Sequence, residues 1–206
     1  MTRSVRPVAE HSSPSKKAIR RITVGKINMD KAVIIAELNN KYNAFADYVA
    51  GLAEDDFVFS LNGEKWSAGE QIDHLCKSVE PLFKGLGAPE FALKAMFGKA
   101  DHDSVTYEEL VARYQAGLAA GGTAPDEFHP KDVPFSRKSE LVTTLKDLVA
   151  KLCSKIEKCD EDKMDVLVLP HPLLGKLTFR EMFYFTIYHA EHHHTHTRQN
   201  LAAGSE

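Results

Sequence analysis

Five of the ten histidines of this chain fall within eight residues, in the stretch "YHAEHHHTHTRQN" from Tyr188 to Asn200. Imidazoles this crowded could ligate a metal, make a solvated polar face, or be the remnant of a purification tag. A tag is an unbroken run beside a flexible linker. Thr195 interrupts this run and the apolar "FREMFYFTIY" leads straight into it, so it reads as native. At ~100° per residue, His189, His193 and His196 lie within roughly 60° of one another around a helix. Met182, Phe185 and Thr186 continue that stripe upstream, so the face is expected to point inward. Imidazoles at i and i+4 can reach a single ion. His189 with His193 is one such pair, and His192 with His196 is the alternative register; His194 points away.

A catalytic zinc-type site takes three protein ligands and leaves a position open. The remaining histidines are His11, near the N-terminus, His102, His129 and His171, in connecting segments, and His74, on an expected helix. Other metal chemistries fit less well. Glu191 and His194 make a lone E-x-x-H, whereas a di-iron bundle needs two such motifs, and the H-E-x-x-H of a zincin protease is absent.

Composition bounds the class. The chain has 206 residues, enough for one domain with a sizeable core. A net charge of −3 argues against a nucleic-acid partner. Cys76, Cys153 and Cys159 form no C-x-x-C pair and leave one thiol over, which favours a reducing compartment. No apolar run approaches the ~20 residues of a membrane span, and the first residues lack the apolar core of a secretory signal. The expected location is cytoplasmic, with no membrane partner. Residues 1–28 hold seven Lys or Arg against one Glu and few large apolar side chains, so they are expected to form a flexible basic tail. Residues 29–203 are then the folded domain.

Four helices are expected to position the histidines. The first starts at Asp30, a suitable N-cap, and carries Leu38, Tyr42, Phe45, Val49 and Leu52 at helical spacing. The second starts at Ser67, where S-x-x-E with Glu70 is a capping-box pattern, and carries Ile72, Leu75, Val79, Leu82 and Leu86. The third, "SELVTTLKDLVAKLCSKIEK", presents Leu141, Leu145, Leu148, Leu152 and Ile156; the fourth begins near Thr178. About fifty residues join the second to the third, with a short helix expected near "VTYEELVARYQAGLAAGG" that ends at its glycines. "DVLVL" has strand character but no convincing partner. The expected fold is all-α, a four-helix bundle with a long crossover between the second and third helices. Such a crossover makes those two helices parallel and sets the start of the second beside the end of the fourth. His74 would then approach the fourth-helix pair. By the same angular arithmetic, however, it stands off its own apolar stripe, between Gln71 and Ser78.

Two segments resemble the DinB-like superfamily, which includes YfiT-type metal-dependent hydrolases. "KWSAGEQIDHL" is similar to the family's Trp-Ser start to its second helix, with His74 in the place of the ligand histidine. "HPLLGKLTFREMFYFTIYHAEHHHTH" is similar to its His-Pro…Gly approach to the fourth helix and the paired histidines that follow. The resemblance spans most of residues 30–201 and implies His74, His189 and His193 as ligands of a divalent metal, commonly zinc or nickel. Where the family often has Gln three residues after the second helix-four histidine, this chain has His196. Gln199 would suit the His192/His196 register, but the distance from Gly175 to His189 matches the first register better. Some members are transferases using low-molecular-weight thiols; others are hydrolases.

The leading expectation is therefore a metal-dependent enzyme acting on a small molecule, with a low-molecular-weight thiol as a candidate co-substrate and His196 as the candidate general base. The alternative is a non-catalytic module: a closed four-coordinate site completed by His196 or His192, or a bundle serving dimerisation. A metal-free helical protein with histidines as polar core residues is the third reading. A homodimer through bundle faces is compatible with any of them.

Overall fold

A computed structural model describes residues 28–204. The expected basic tail, residues 1–28, lies outside the described residues except for Asn28. The fold is mostly helical with one small two-stranded sheet. In chain order the elements are α1 (Lys31–Ala50), α2 (Glu54–Val58), α3 (Ala68–Gly85), α4 (Glu90–Phe97), α5 (Tyr107–Ala119), α6 (Lys138–Glu157), α7 (Glu161–Met164), β1 (Val168–His171), β2 (Gly175–Thr178) and α8 (Phe179–Gly204).

The helix starts follow their local chemistry. Asp30 caps α1 by accepting from the Val33 N–H. Ser67 and Glu70 close a reciprocal capping box on α3, and Thr106 with Glu109 does the same for α5. At α8, Thr178 Oγ1 accepts from Glu181 N–H at 3.1 Å while a Glu181 carboxylate oxygen accepts from Thr178 N–H at 2.8 Å. The expected stripes are the buried ones, with three adjustments. Leu52 lies beyond the end of α1, Leu86 lies half-buried just past the end of α3, and on α6 Val149 is buried where Leu148 is half-buried.

Contacts at the helix ends set their directions. Lys31 at the start of α1 donates to the Glu157 carbonyl at the end of α6, and Lys138 at the start of α6 donates to the Ala50 and Leu52 carbonyls. These two helices run in opposite directions. Arg137 pairs with Asp73 near the starts of α6 and α3, and Lys155 donates to the Phe83 carbonyl near their ends, so α3 and α6 run the same way. Met29 bonds to the Tyr184 hydroxyl and Lys41 pairs with Glu191, which aligns α1 with α8. The segment between α3 and α6 therefore returns along the length of the molecule.

Two local expectations change. "EFALKAMF", read as connection, is the helix α4, started by Pro89 and stopped by Gly98 at φ 81°. "DVLVL" does have a partner: β1 pairs antiparallel with β2, from Val168 opposite Thr178 to His171 opposite Gly175. Pro170 and the shortness of "GKLT" hide this hairpin from periodicity. Its three-residue loop closes at Gly175, whose φ of 75° suits glycine. The Cys76 and Cys153 thiols are buried and unpaired in disulfides, and burial pushes them up to about 12 and about 11. That makes them poor nucleophiles. Among the described residues, no helix is long and apolar enough to cross a membrane.

Candidate metal centre

His189 and His193 lie one turn apart on the buried side of α8, and His74 faces them from the first turns of α3. The side-chain ligand atoms of these three residues all lie within 4.8 Å of one another. The converging atoms are the Nε2 nitrogens: His74 to His189 is 3.2 Å, and His193 to His189 is 2.9 Å. All three rings are buried, with no more than 6% of their surface exposed.

What fixes the rings is on their other edge. His74 Nδ1 lies 2.7 Å from the Phe128 carbonyl, which can only accept, so the proton sits on Nδ1 and the lone pair on Nε2. His193 Nδ1 donates to Gln71 Oε1. The Gln71 amide nitrogen faces the Trp66 carbonyl at 3.5 Å, which leaves the oxygen for His193. Trp66 covers the group, its ring 4.9 Å from His74 and stacked at 7° on His193. Burial, first of all, holds His74 below the usual imidazole pKa and His189 and His193 well below it. For His189 and His193 the neighbouring imidazoles add to the effect. Neutral rings with unprotonated Nε2 are what a cation needs. In tetrahedral zinc, with Zn–N of about 2.0–2.1 Å, neighbouring nitrogens stand about 3.3 Å apart, close to the observed separations. The donor set therefore fits a divalent ion.

A cavity of about 540 Å³ opens on the three histidines, walled by α3, α4, α5, the segment before α6, the hairpin and α8. Met96 and Phe97 of the long connection line it. Phe91 is exposed, and Tyr107 packs on Tyr184, away from the cavity. A family model of the DinB superfamily matches residues 37–196, well over half of the chain.

The chain belongs to the DinB superfamily. No curated protein and no solved structure matches it to a significant degree. In this DinB-superfamily chain the other expected site residues are distributed as follows. His192 lines the cavity, half-buried, with its ring 5.1 Å from His193. His196 does not share the inward face: it is exposed and packs on His192 at 4.2 Å, outside the cavity wall. The reason is that the segment before α3 covers the last turns of α8 from the side of Thr197 and Asn200, where Asn200 bonds to the Trp66 carbonyl. His194 packs on Phe45 and Tyr48 of α1.

Sequence reasoning passed over Gln71 and Phe128 as orienting groups. Gln71 had a signal, since it precedes His74 by three residues and so shares its face. The Phe128 carbonyl, in an irregular segment, had none. Trp66, at the start of the quoted segment "KWSAGEQIDHL", packs directly on two of the three imidazoles.

Proposed function

We propose that this protein holds a divalent metal ion, zinc or nickel, on Nε2 of His74, His189 and His193, and that it uses the centre as an enzyme. The reaction is a hydrolysis, or the transfer of a low-molecular-weight thiol to an electrophile. The four long helices α1, α3, α6 and α8 are read as a crossover four-helix bundle, with residues 29–203 as one domain. The observation that carries the proposal is the proton placement. With Nδ1–H of His74 and His193 committed to oxygen acceptors, their Nε2 lone pairs converge on His189 in a buried site. Lone pairs facing one another at hydrogen-bond distance repel unless a cation or a proton lies among them.

A divalent ion carried by three neutral imidazoles keeps its full charge, and so acidifies water or a thiol and polarises a carbonyl. The chain's own residues do the rest. Gln71 and the Phe128 carbonyl hold two rings in one tautomer, and Trp66 shields them. The apolar cavity wall excludes bulk water and strengthens the field at the open side of the three imidazoles. Proton transfer falls to His192, the imidazole on the cavity wall. Burial lowers it to about 4, so it is neutral near pH 7 and able to accept.

A second reading has one observation in its favour. A proton on His189 Nε2 could be shared with His74 and His193 at 3.2 and 2.9 Å, giving a metal-free polar cluster. Cobalt(II) substitution separates the readings. A three-histidine centre with an open position should give visible absorption that changes when azide or a small thiol is added. In a screen of ester, amide and thiol-transfer substrates, activity should require the metal and fall about 10²–10⁴-fold in His192→Ala. A spectrum indifferent to every added ligand would mark a closed structural site; no visible absorption at all would favour the metal-free cluster.

A further inference from the structure

One polar group on the cavity wall has no part in the metal reading. His171 ends β1, and its Nδ1 accepts from the backbone N–H groups of Leu173 and Leu174, both at 3.1 Å. A ring nitrogen that accepts carries a lone pair, so the proton of this imidazole sits on Nε2. Burial lowers His171 to about 4, which keeps the ring neutral with that single N–H. Phe185 lies edge-on 4.2 Å from the ring and Tyr114 lies 6.1 Å away, so neighbours on α8 and α5 fix its plane. The Nδ1 edge is turned to the hairpin's own backbone, which leaves the Nε2–H edge for the cavity that the ring lines. Among the described residues, Nε2–H has no hydrogen-bond partner. Donors in sheltered sites are ordinarily paired, and the cavity that this half-buried ring lines is walled by Leu82, Leu93, Phe97, Leu118, Leu173 and Met182.

We infer that the cavity takes a compact, largely apolar molecule bearing a carbonyl-type oxygen, and that His171 Nε2–H donates a hydrogen bond to that oxygen. The inference rests on the proposed function only in placing the reacting end of the molecule toward His74, His189 and His193. A locked N–H accepts nothing, so it selects acceptors such as a carbonyl oxygen and leaves an ammonium or other pure donor unpaired. A cavity of about 540 Å³ is within the usual range for small-molecule sites, and apolar walls with few convergent polar groups are their usual make-up. His171 is in this sense a positioning residue for the substrate oxygen.

The test uses prodan, an uncharged naphthyl ketone whose emission moves to the red when its carbonyl accepts a hydrogen bond. Two substitutions separate donor from turn cap. His171→Asn sets an amide oxygen where Nδ1 stands, keeping the turn's acceptor, but has nothing at the position of Nε2. His171→Gln can bring an amide N–H to that position but abandons the turn. The native protein is expected to bind prodan saturably, with red-shifted emission. In His171→Asn the emission should move to the blue and affinity should fall about 2- to 10-fold, the range for one neutral hydrogen bond. His171→Gln should keep the native emission. The opposite order, Asn native-like and Gln altered, would make His171 a turn cap only and overturn the inference. So would absence of saturable binding, or binding undiminished by Leu118→Trp, which fills the cavity. Metal content on the same samples keeps the two claims apart. Bound metal without the prodan pattern sinks this inference alone; the prodan pattern without metal supports it and sinks the metal reading.

Discussion

At the residue scale the proposed centre would depend on the orientation of its imidazoles as much as on their number. His189 and His193 were legible because i, i+4 spacing on an inward face is a strong local signal. His196 was misplaced by the same arithmetic: it lies at a similar angle, but the segment before α3 covers a different side of the last turns. Gln71 is the residue whose effect is cleanest to test. Groups that hold a ligating histidine by its other nitrogen typically contribute 10- to 100-fold to metal affinity. Gln71→Leu removes the acceptor for His193 Nδ1 with little change of volume. Metal affinity measured by competition with a chelator is expected to fall about 10- to 100-fold in this variant, with helix content unchanged. An unchanged affinity would mean that Gln71 does not orient the ligand.

At the element scale, one buried carboxylate joins the cavity wall to α8. Glu181 is fully buried and accepts from Thr178 N–H at 2.8 Å, Val105 N–H at 3.0 Å and His102 Nε2 at 3.0 Å. It thus caps α8 and ties down the chain just before α5. Glu181→Ala leaves two buried backbone donors without an acceptor. It is expected to cost about 3 kcal/mol or more in denaturant unfolding, and a loss within about 0.5 kcal/mol, typical of surface changes, would contradict this role. The Thr178 start of α8 was legible from the chain. The hairpin that precedes it was not, because Pro170 breaks the alternation and each strand has only four residues. Nor was the burial of His74. It stands off the apolar stripe of α3, and the irregular segment around Phe128 is what covers it. Covering by a segment without periodicity leaves no periodic trace.

At the scale of the whole molecule, the long connection was the informative feature. Its length predicted that α3 and α6 run the same way, and the Arg137–Asp73 and Lys155–Phe83 contacts at matching ends agree with that direction. The result brings the start of α3 beside the middle of α8, where the imidazoles meet. It also collects several buried neutral histidines in one region, with a consequence for pH. Burial holds His74, His189 and His193 below the ordinary value of about 6.5, and His171 and His192 at about 4. Between those values the unfolded chain binds protons that the folded chain does not, so stability rises with pH there. The metal-free protein should be fully stable above about pH 6.5 and lose stability steadily as the pH falls toward about 4. Thermal unfolding of chelator-treated protein at steps between about pH 7 and about pH 5 would show it as a falling midpoint; a flat profile would contradict it.

The most direct measurement is elemental analysis of tag-free protein, as isolated and after reconstitution, alongside folded His74→Ala and His193→Ala variants. The expected result is about one zinc or nickel ion per chain, lost in both variants, as a site with three protein ligands requires. Metal retained in His74→Ala would remove α3 from the centre. No metal in the native protein, even after reconstitution, would leave the three imidazoles as a polar cluster and contradict the proposed chemistry.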